Sequence, residues 1–284
     1  MGDVVMRVWN TIDKMRRKLY RIWYRVVQTN TVLAQMSYAD DPQVRAIAQV
    51  IRASLKPQLN AAEQEWVSRI EVARNQLLKS DDTLVTGSWE GQHAGHEPIS
   101  SVCRISSKKV NWSIFLLKII QHFHPDICIE LGTCLGISAA YQAAGLAING
   151  RGRIITLEGS NARASLAQQN LHTLGLHNAE VVPGSFDETL PQILRNYGEI
   201  DYVFLDADHS ELATVTHVER VLPRLSNPSL LIVDDISWST GMRNAWNIIS
   251  NHERVRISVD LFALGLCVID TPRQTQHAYQ VALW

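Results

Sequence analysis

The sequence predicts an α/β protein, a doubly wound and mostly parallel sheet of seven strands with an antiparallel C-terminal hairpin, preceded by an N-terminal α-helical region. Three observations predict it. From about residue 110 short apolar runs alternate with helical patterns, and that alternation requires crossover connections. The last two apolar runs are joined only by Leu261–Leu264, too short for a crossover. Before residue 80 the periodicity is helical.

The runs Ile127–Glu130, Ile154–Leu157, Glu180–Val182, Tyr202–Leu205 and Leu230–Val233 read as parallel strands covered on both faces. Between and after them Ser138–Ile148, Arg163–Leu174, Leu190–Asn196, Glu211–Leu222 and Met242–Ser250 carry helical spacing. Val255–Asp260 and Gly265–Ile269 form the terminal hairpin. Upstream, Asp40-Asp41-Pro42 reads as a helix start, because proline at the first helical position loses nothing by lacking an N–H. Pro57 interrupts the helical stretch that follows and continues through Leu59–Leu78. Lys79–Pro98, with Gly87, Gly91 and Gly95, reads as a linker, and its His93 and His96 as solvent-exposed side chains. Two parts are therefore expected, residues 1–95 (helical region and linker) and 96–284 (the α/β domain).

With 284 residues, 46% of them apolar and 19% charged, the chain can bury a sizeable core. Its 27 basic and 28 acidic residues nearly cancel, which argues against a nucleic-acid partner. Four cysteines (Cys103, Cys128, Cys134, Cys267) lack zinc spacing and are too few for a disulfide scaffold. With no membrane-length apolar run and no signal-peptide pattern, a cytoplasmic location is expected. The charge is uneven: residues 1–25 hold seven basic side chains and two acidic ones along a basic amphipathic helix. Packing of its apolar stripe on a second copy or on its own domain is expected, so that a homo-oligomer forms through the N-terminal helices. Peripheral contact with an anionic membrane is the alternative.

In an open parallel sheet ligands bind beyond the carboxyl ends of the strands. The first strand delivers Glu130-Leu131-Gly132-Thr133-Cys134-Leu135-Gly136-Ile137-Ser138, a turn whose glycines permit close backbone approach, followed by a helix N-terminus. The second ends in Glu158 and Gly159, where a carboxylate can accept both hydroxyls of a ribose or instead cap the helix ahead of Asn161. The third runs into Pro183-Gly184-Ser185-Phe186-Asp187, suited to flank an adenine. A dinucleotide fingerprint places a glycine where Cys134 stands, so this G-x-x-x-G loop favours a ligand without a pyrophosphate, such as S-adenosylmethionine, over NAD.

The segments IELGTCLGISAAY (Ile129–Tyr141), TLEGS (Thr156–Ser160), VVPGSF (Val181–Phe186), FLDADH (Phe204–His209) and LLIVDDISWSTGM (Leu230–Met242) resemble class I S-adenosylmethionine-dependent methyltransferases. They are most similar to small-molecule O-methyltransferases of the catechol, caffeoyl-CoA and macrolide-sugar kinds. The resemblance covers about residues 100–270 and implies a Rossmann-like fold and methyl transfer to a hydroxyl of a small molecule. It further implies that Gly132, Thr133, Gly136 and Ser138 line the methionine end of the cofactor. Glu158 and Gly159 then hold the ribose, Ser185 and Phe186 lie beside the adenine, and Glu130 orients the loop or meets the cofactor amine.

Asp206 ends the fourth strand, and Asp234 and Asp235 end the fifth. Three converging anions need a compensating cation, and oxygen-only ligation suits Mg²⁺ or another divalent ion. The alternative makes one aspartate a helix cap and turns another, Asp206, toward the cofactor amine. Metal-dependent relatives carry an acid and an acidic pair in these places, as the resemblance implies here. Asp208 and His209 are the candidates for taking the acceptor's proton. Trp238 and Trp112 are candidate pocket walls, Trp246 a core residue, and the stretch containing Arg104, Ser106, Ser107 and Lys108 reads as an ordinary polar loop, with a cover over the cofactor carboxylate as the alternative. Two rival functions are an iron-dependent hydroxylase-like relative on the same fold and a non-catalytic, membrane-associated cofactor-binding scaffold.

Overall fold

The computed structural model describes residue 16 and residues 19–86, 95–271 and 276–284. Most of the basic N-terminal helix, and His93, lie outside them. Residues 19–27 are helical. They are followed by α1 (Thr29–Ser37), α2 (Pro42–Leu55) and α3 (Ala61–Leu78). The predicted start of α2 is real: the Asp41 carboxylate accepts the Gln43 N–H at 2.8 Å with proline at the first position. Asn60 and Glu63 form a reciprocal capping box at the head of α3, on the far side of Pro57.

The stretch read as a linker contains a two-stranded antiparallel ribbon, β1 (Thr83–Thr86) with β2 (Gly95–Pro98). Its glycines pointed to a loop, whereas each strand is only four residues long, too short to show a clear alternation. Two helices follow, α4 (Ile99–Ser106) and α5 (Val110–Phe123). The α/β domain then runs β3 (Ile127–Leu131), α6 (Ile137–Asn149), β4 (Arg153–Glu158), α7 (Asn161–Thr173), β5 (Ala179–Pro183), α8 (Phe186–Asn196), β6 (Ile200–Leu205), α9 (Glu211–Val221), β7 (Leu225–Val233), α10 (Thr240–Ser250), β8 (Val255–Asp260) and β9 (Gly265–Ile269). The sheet has eight strands rather than seven. The eighth, β10 (His277–Gln280), adds to the edge parallel to β8, outside the expected antiparallel β8–β9 hairpin.

Strand order is β10-β8-β9-β7-β6-β3-β4-β5. From β3 the chain winds outward through β4 and β5, then returns to β6 on the other side of β3. The crevice at the carboxyl ends of β3 and β6 is therefore the switch point where ligands bind in such sheets. Side chains alternate across the sheet as the pleat demands. Tyr202 and Phe204 join a core that also contains Phe115, Leu117 and Tyr141, whereas Val203 and Leu205 join the opposite core with Leu190, Val218 and Trp246.

The first core continues into the N-terminal helices through Leu33, Met36, Ile47 and Ile51, all fully buried. Polar ties accompany it: Lys118 meets Glu63 at 3.0 Å, the Tyr141 hydroxyl donates to Glu71 at 2.7 Å, and Arg256 bonds Asp41 and Gln43. The Tyr20 and Tyr24 rings lie 6.0 and 5.6 Å from Phe262, and the Tyr24 hydroxyl donates to the Gln280 carbonyl. The described part of the basic helix thus packs on its own domain. Leu19, Ile22, Trp23 and Val26 nevertheless remain exposed. No described helix is long and apolar enough to cross a membrane.

Candidate active site

Four strand ends are locked side by side by three backbone bonds. The Gly132 N–H donates to the Leu157 carbonyl at 3.0 Å, Asp206 N–H to Leu131 at 2.9 Å and Asp234 N–H to Leu205 at 2.8 Å. Gly132 sits at φ +101°, and a Cβ there would lie 2.0 Å from the Asp206 carbonyl oxygen. Only glycine lets these strands approach so closely.

Glu158 closes β4 with its carboxylate turned toward the glycine loop. One oxygen accepts the Cys134 N–H at 2.7 Å and the other the Ser160 N–H at 2.9 Å. The second bond caps the approach to α7, which is the helix-capping reading of this acid. Each carboxylate oxygen retains a further lone pair. Burial raises the Glu158 pKa, and the two N–H bonds oppose the rise.

A cavity of about 1090 Å³ opens over these ends, at the upper bound of roughly 300–1,000 Å³ typical of small-molecule sites. Of the predicted cofactor residues, Gly132, Glu158, Gly159, Ser185, Phe186 and Asp206 line it. Glu130, Thr133, Gly136 and Ser138 do not, and are buried. Glu130 is fully buried, accepting from Gln142 at 2.8 Å and Thr156 at 2.5 Å, while Thr133 and Thr156 share a hydrogen bond of 2.6 Å. Glu130 thus orients the loop from below. Gly136, at φ +82°, begins α6 against Ala167.

The acidic strand ends meet a cation from the segment between α4 and α5. The Lys108 ammonium forms an ion pair with Asp234 and lies 3.4 Å from Asp206. Asp235 turns instead toward His209, whose Nε2 is 3.6 Å from its carboxylate and 3.9 Å from that of Asp206. Burial raises the Asp206 pKa, and Lys108 and then His209 oppose the rise. Asp208 is exposed, with φ +47°, while His209 is half-buried beside Trp238. Trp112 and Trp238 line the cavity, and Trp246 is core, its ring against Gly265.

The sequence favoured an ordinary loop over a place at the cofactor for Arg104, Ser106, Ser107 and Lys108, but Arg104 and Ser106 lie in α4, and Ser106, Ser107 and Lys108 line the cavity, as do Arg21 and His217. Composition could not have found them, because their place depends on packing. Among the described residues no group of three His, Cys, Asp or Glu is arranged to hold a metal ion.

Comparison with known proteins agrees with this geometry. Residues 129–236 match the family model of a methyltransferase domain. The chain is 32% identical over 157 residues to a catechol O-methyltransferase of Niastella koreensis, covering 55% of this chain and 66% of that protein. The stretch 129–236 is thus similar to a methyltransferase domain. A catechol O-methyltransferase of Sus scrofa is 33% identical over 91 residues, covering 31% of this chain and 48% of that protein. The match thus spans less than two thirds of either relative. An O-methyltransferase of Bacillus cereus, solved in complex with SAH, shares the fold at a TM-score of 0.53 and 20% identity, covering 78% of this chain and 97% of that one.

Glu130 gives the α/β domain a pH signature. Burial lifts its carboxyl from an ordinary 4.5 to about 7. The fold favours the protonated form, so its contribution to stability is complete below about pH 4.5 and is lost as pH rises to about 7, roughly 3 kcal/mol in all. Glu130→Gln, which keeps the shape and both hydrogen-bond partners, is expected to flatten the fall of Tm between pH 5 and 8. Thermal melts of both proteins across that range check this, and parallel profiles would contradict it.

Proposed function

We propose that this chain transfers a methyl group from S-adenosylmethionine to a hydroxyl of a small molecule. The observation that carries the reading is the Glu158 carboxylate, aimed at the glycine turn with a free lone pair on each oxygen, at the wall of a cavity spacious enough for cofactor and acceptor together. Those oxygens suit the two hydroxyls of the ribose. Gly132 gives the methionine portion an approach along bare backbone, and Ser185 and Phe186 stand where the adenine would lie.

When bound, the sulfonium supplies a methyl carbon already activated for in-line displacement. The chain's own task is to align the acceptor and manage one proton. His209 is the better placed base: it is half-buried at the cavity wall, with the Asp235 and Asp206 carboxylates 3.6 and 3.9 Å from its Nε2. Asp208 is exposed. Trp238 and Trp112 give the acceptor apolar walls. Asp206, Asp234 and Asp235 are hard oxygen donors of a kind that suits Mg²⁺. The space between Asp206 and Asp234 is filled by the Lys108 ammonium, however, so the residues as arranged do not fit an ion there and no step is routed through one.

For the helix at residues 19–27, outward-facing Leu19, Ile22 and Val26 support a homo-oligomer in which a second copy covers that stripe.

S-adenosylhomocysteine is expected to raise the melting temperature while NAD leaves it unchanged; a shift with NAD alone in differential scanning fluorimetry would overturn the cofactor assignment. His209→Ala is expected to lower kcat by about 10²–10³-fold with the KM for S-adenosylmethionine nearly unchanged, and Asp208→Asn to have a much smaller effect. Steady-state kinetics decide between them, and the reverse order of effects would make Asp208 the base.

A further inference from the structure

We propose that Lys108 is the resident cation of the acidic cluster, standing where a divalent ion would stand, and that methyl transfer by this chain is metal-independent. This rests on the reading of the cavity as a methyl-transfer site and assigns that site its source of positive charge.

The first support is position. Lys108 follows α4 and places its ammonium between the ends of two adjacent strands, paired with Asp234 and 3.4 Å from Asp206. Asp234 is 2% exposed, so its charge needs a partner held in place, and Lys108 itself is largely buried. The second support is how the lysine is held. The Ser113 hydroxyl donates to the Lys108 carbonyl at 3.3 Å, fixing the backbone against the start of α5. The ammonium also lies 5.9 Å from the centre of the Phe204 ring.

The third support is electrostatic. A divalent ion held by Asp206 and Asp234 would have to share its place with this ammonium, and like charges set side by side away from bulk water repel each other. The remaining acid, Asp235, is engaged with His209.

The chemistry then closes without a metal. An ammonium carries three N–H donors. Asp234 and Asp206 hold the ammonium as ion-pair partners, which leaves an N–H for an acceptor oxygen in the cavity that Lys108 lines. As that oxygen forms its bond to the methyl carbon, the carbon–sulfur bond breaks and its electron pair stays on sulfur. The hydroxyl proton passes to His209, while the ammonium stabilises the charge on oxygen as the proton leaves. Lys108 is thus a positioning residue for the two aspartates and a donor to the acceptor.

The test is a titration of Mn²⁺ into the full chain saturated with S-adenosylhomocysteine, read by electron paramagnetic resonance, together with methyl transfer assayed in excess chelator. The expected result is no stoichiometric Mn²⁺ site in the wild-type protein and an undiminished rate in chelator. Lys108→Ala is expected to lose at least about 100-fold in rate in chelator and to gain a Mn²⁺ site. A stoichiometric site in the wild-type protein, loss of its activity in chelator, or Lys108→Ala that keeps its rate or gains no Mn²⁺ site would each overturn the proposal. Should Lys108→Ala not fold, the wild-type titration decides alone. Failure of the wild-type protein to bind S-adenosylhomocysteine at all would instead overturn the reading of the cavity.

Discussion

The site is organised around a carboxylate that ties two neighbouring turns together. Glu158 leaves the end of β4 and accepts one N–H from the glycine turn after β3 and another from the entry to α7. That bracket sets the width of the crevice at the point where strand order reverses. It works only because the backbone at Gly132 passes against the Asp206 carbonyl with no side chain between them. Beneath it the Glu130, Thr133, Thr156 and Gln142 hydrogen bonds hold the loop from the protein side. The loop is thus preorganised by buried polar groups that leave its upper face free for a ligand.

The acidic strand ends follow from the same topology. Parallel strands in adjacent register deliver their C-terminal residues to one edge, so Asp206, Asp234 and Asp235 are brought close by the ladder rather than by any attraction among themselves. Like charges in a partly desolvated place must be compensated. Here the compensation comes from outside the sheet: Lys108, on the segment between α4 and α5, meets two of the acids, and His209 meets the third. The helices before the sheet therefore complete the site as well as covering one face of it. Lys108 connects them to the chemistry.

Much of this was legible in the sequence where a local pattern has one physical solution. The alternation of apolar runs and helical spacing defines β3 through β9, and the four-residue link at Leu261–Leu264 forces β8 and β9 to pair antiparallel. Gly132, Glu158, Ser185 and Asp206, each expected at the carboxyl end of a strand, line one cavity. What escaped was set by distant partners. The four residues of β10 become a strand only because β8 offers a free edge, and β1 and β2 stabilise each other within a glycine-rich stretch. Lys108 reads as one polar residue among several, since nothing local says where a four-carbon stem will carry its charge. Glu130, Thr133, Gly136 and Ser138 were recognised as part of the loop, but the side that each faces depends on how α6 packs beneath it.

The central claim is that Glu158 grips the ribose of an adenosyl cofactor. Its most direct test is isothermal calorimetry of S-adenosylhomocysteine with the wild-type chain and with Glu158→Gln, folding of the variant being confirmed by circular dichroism. The expected outcome is one bound ligand per wild-type chain and binding weaker by at least about 30-fold in the variant, the loss from degrading two hydrogen bonds to a charged acceptor. Equal affinities in the two proteins would contradict it.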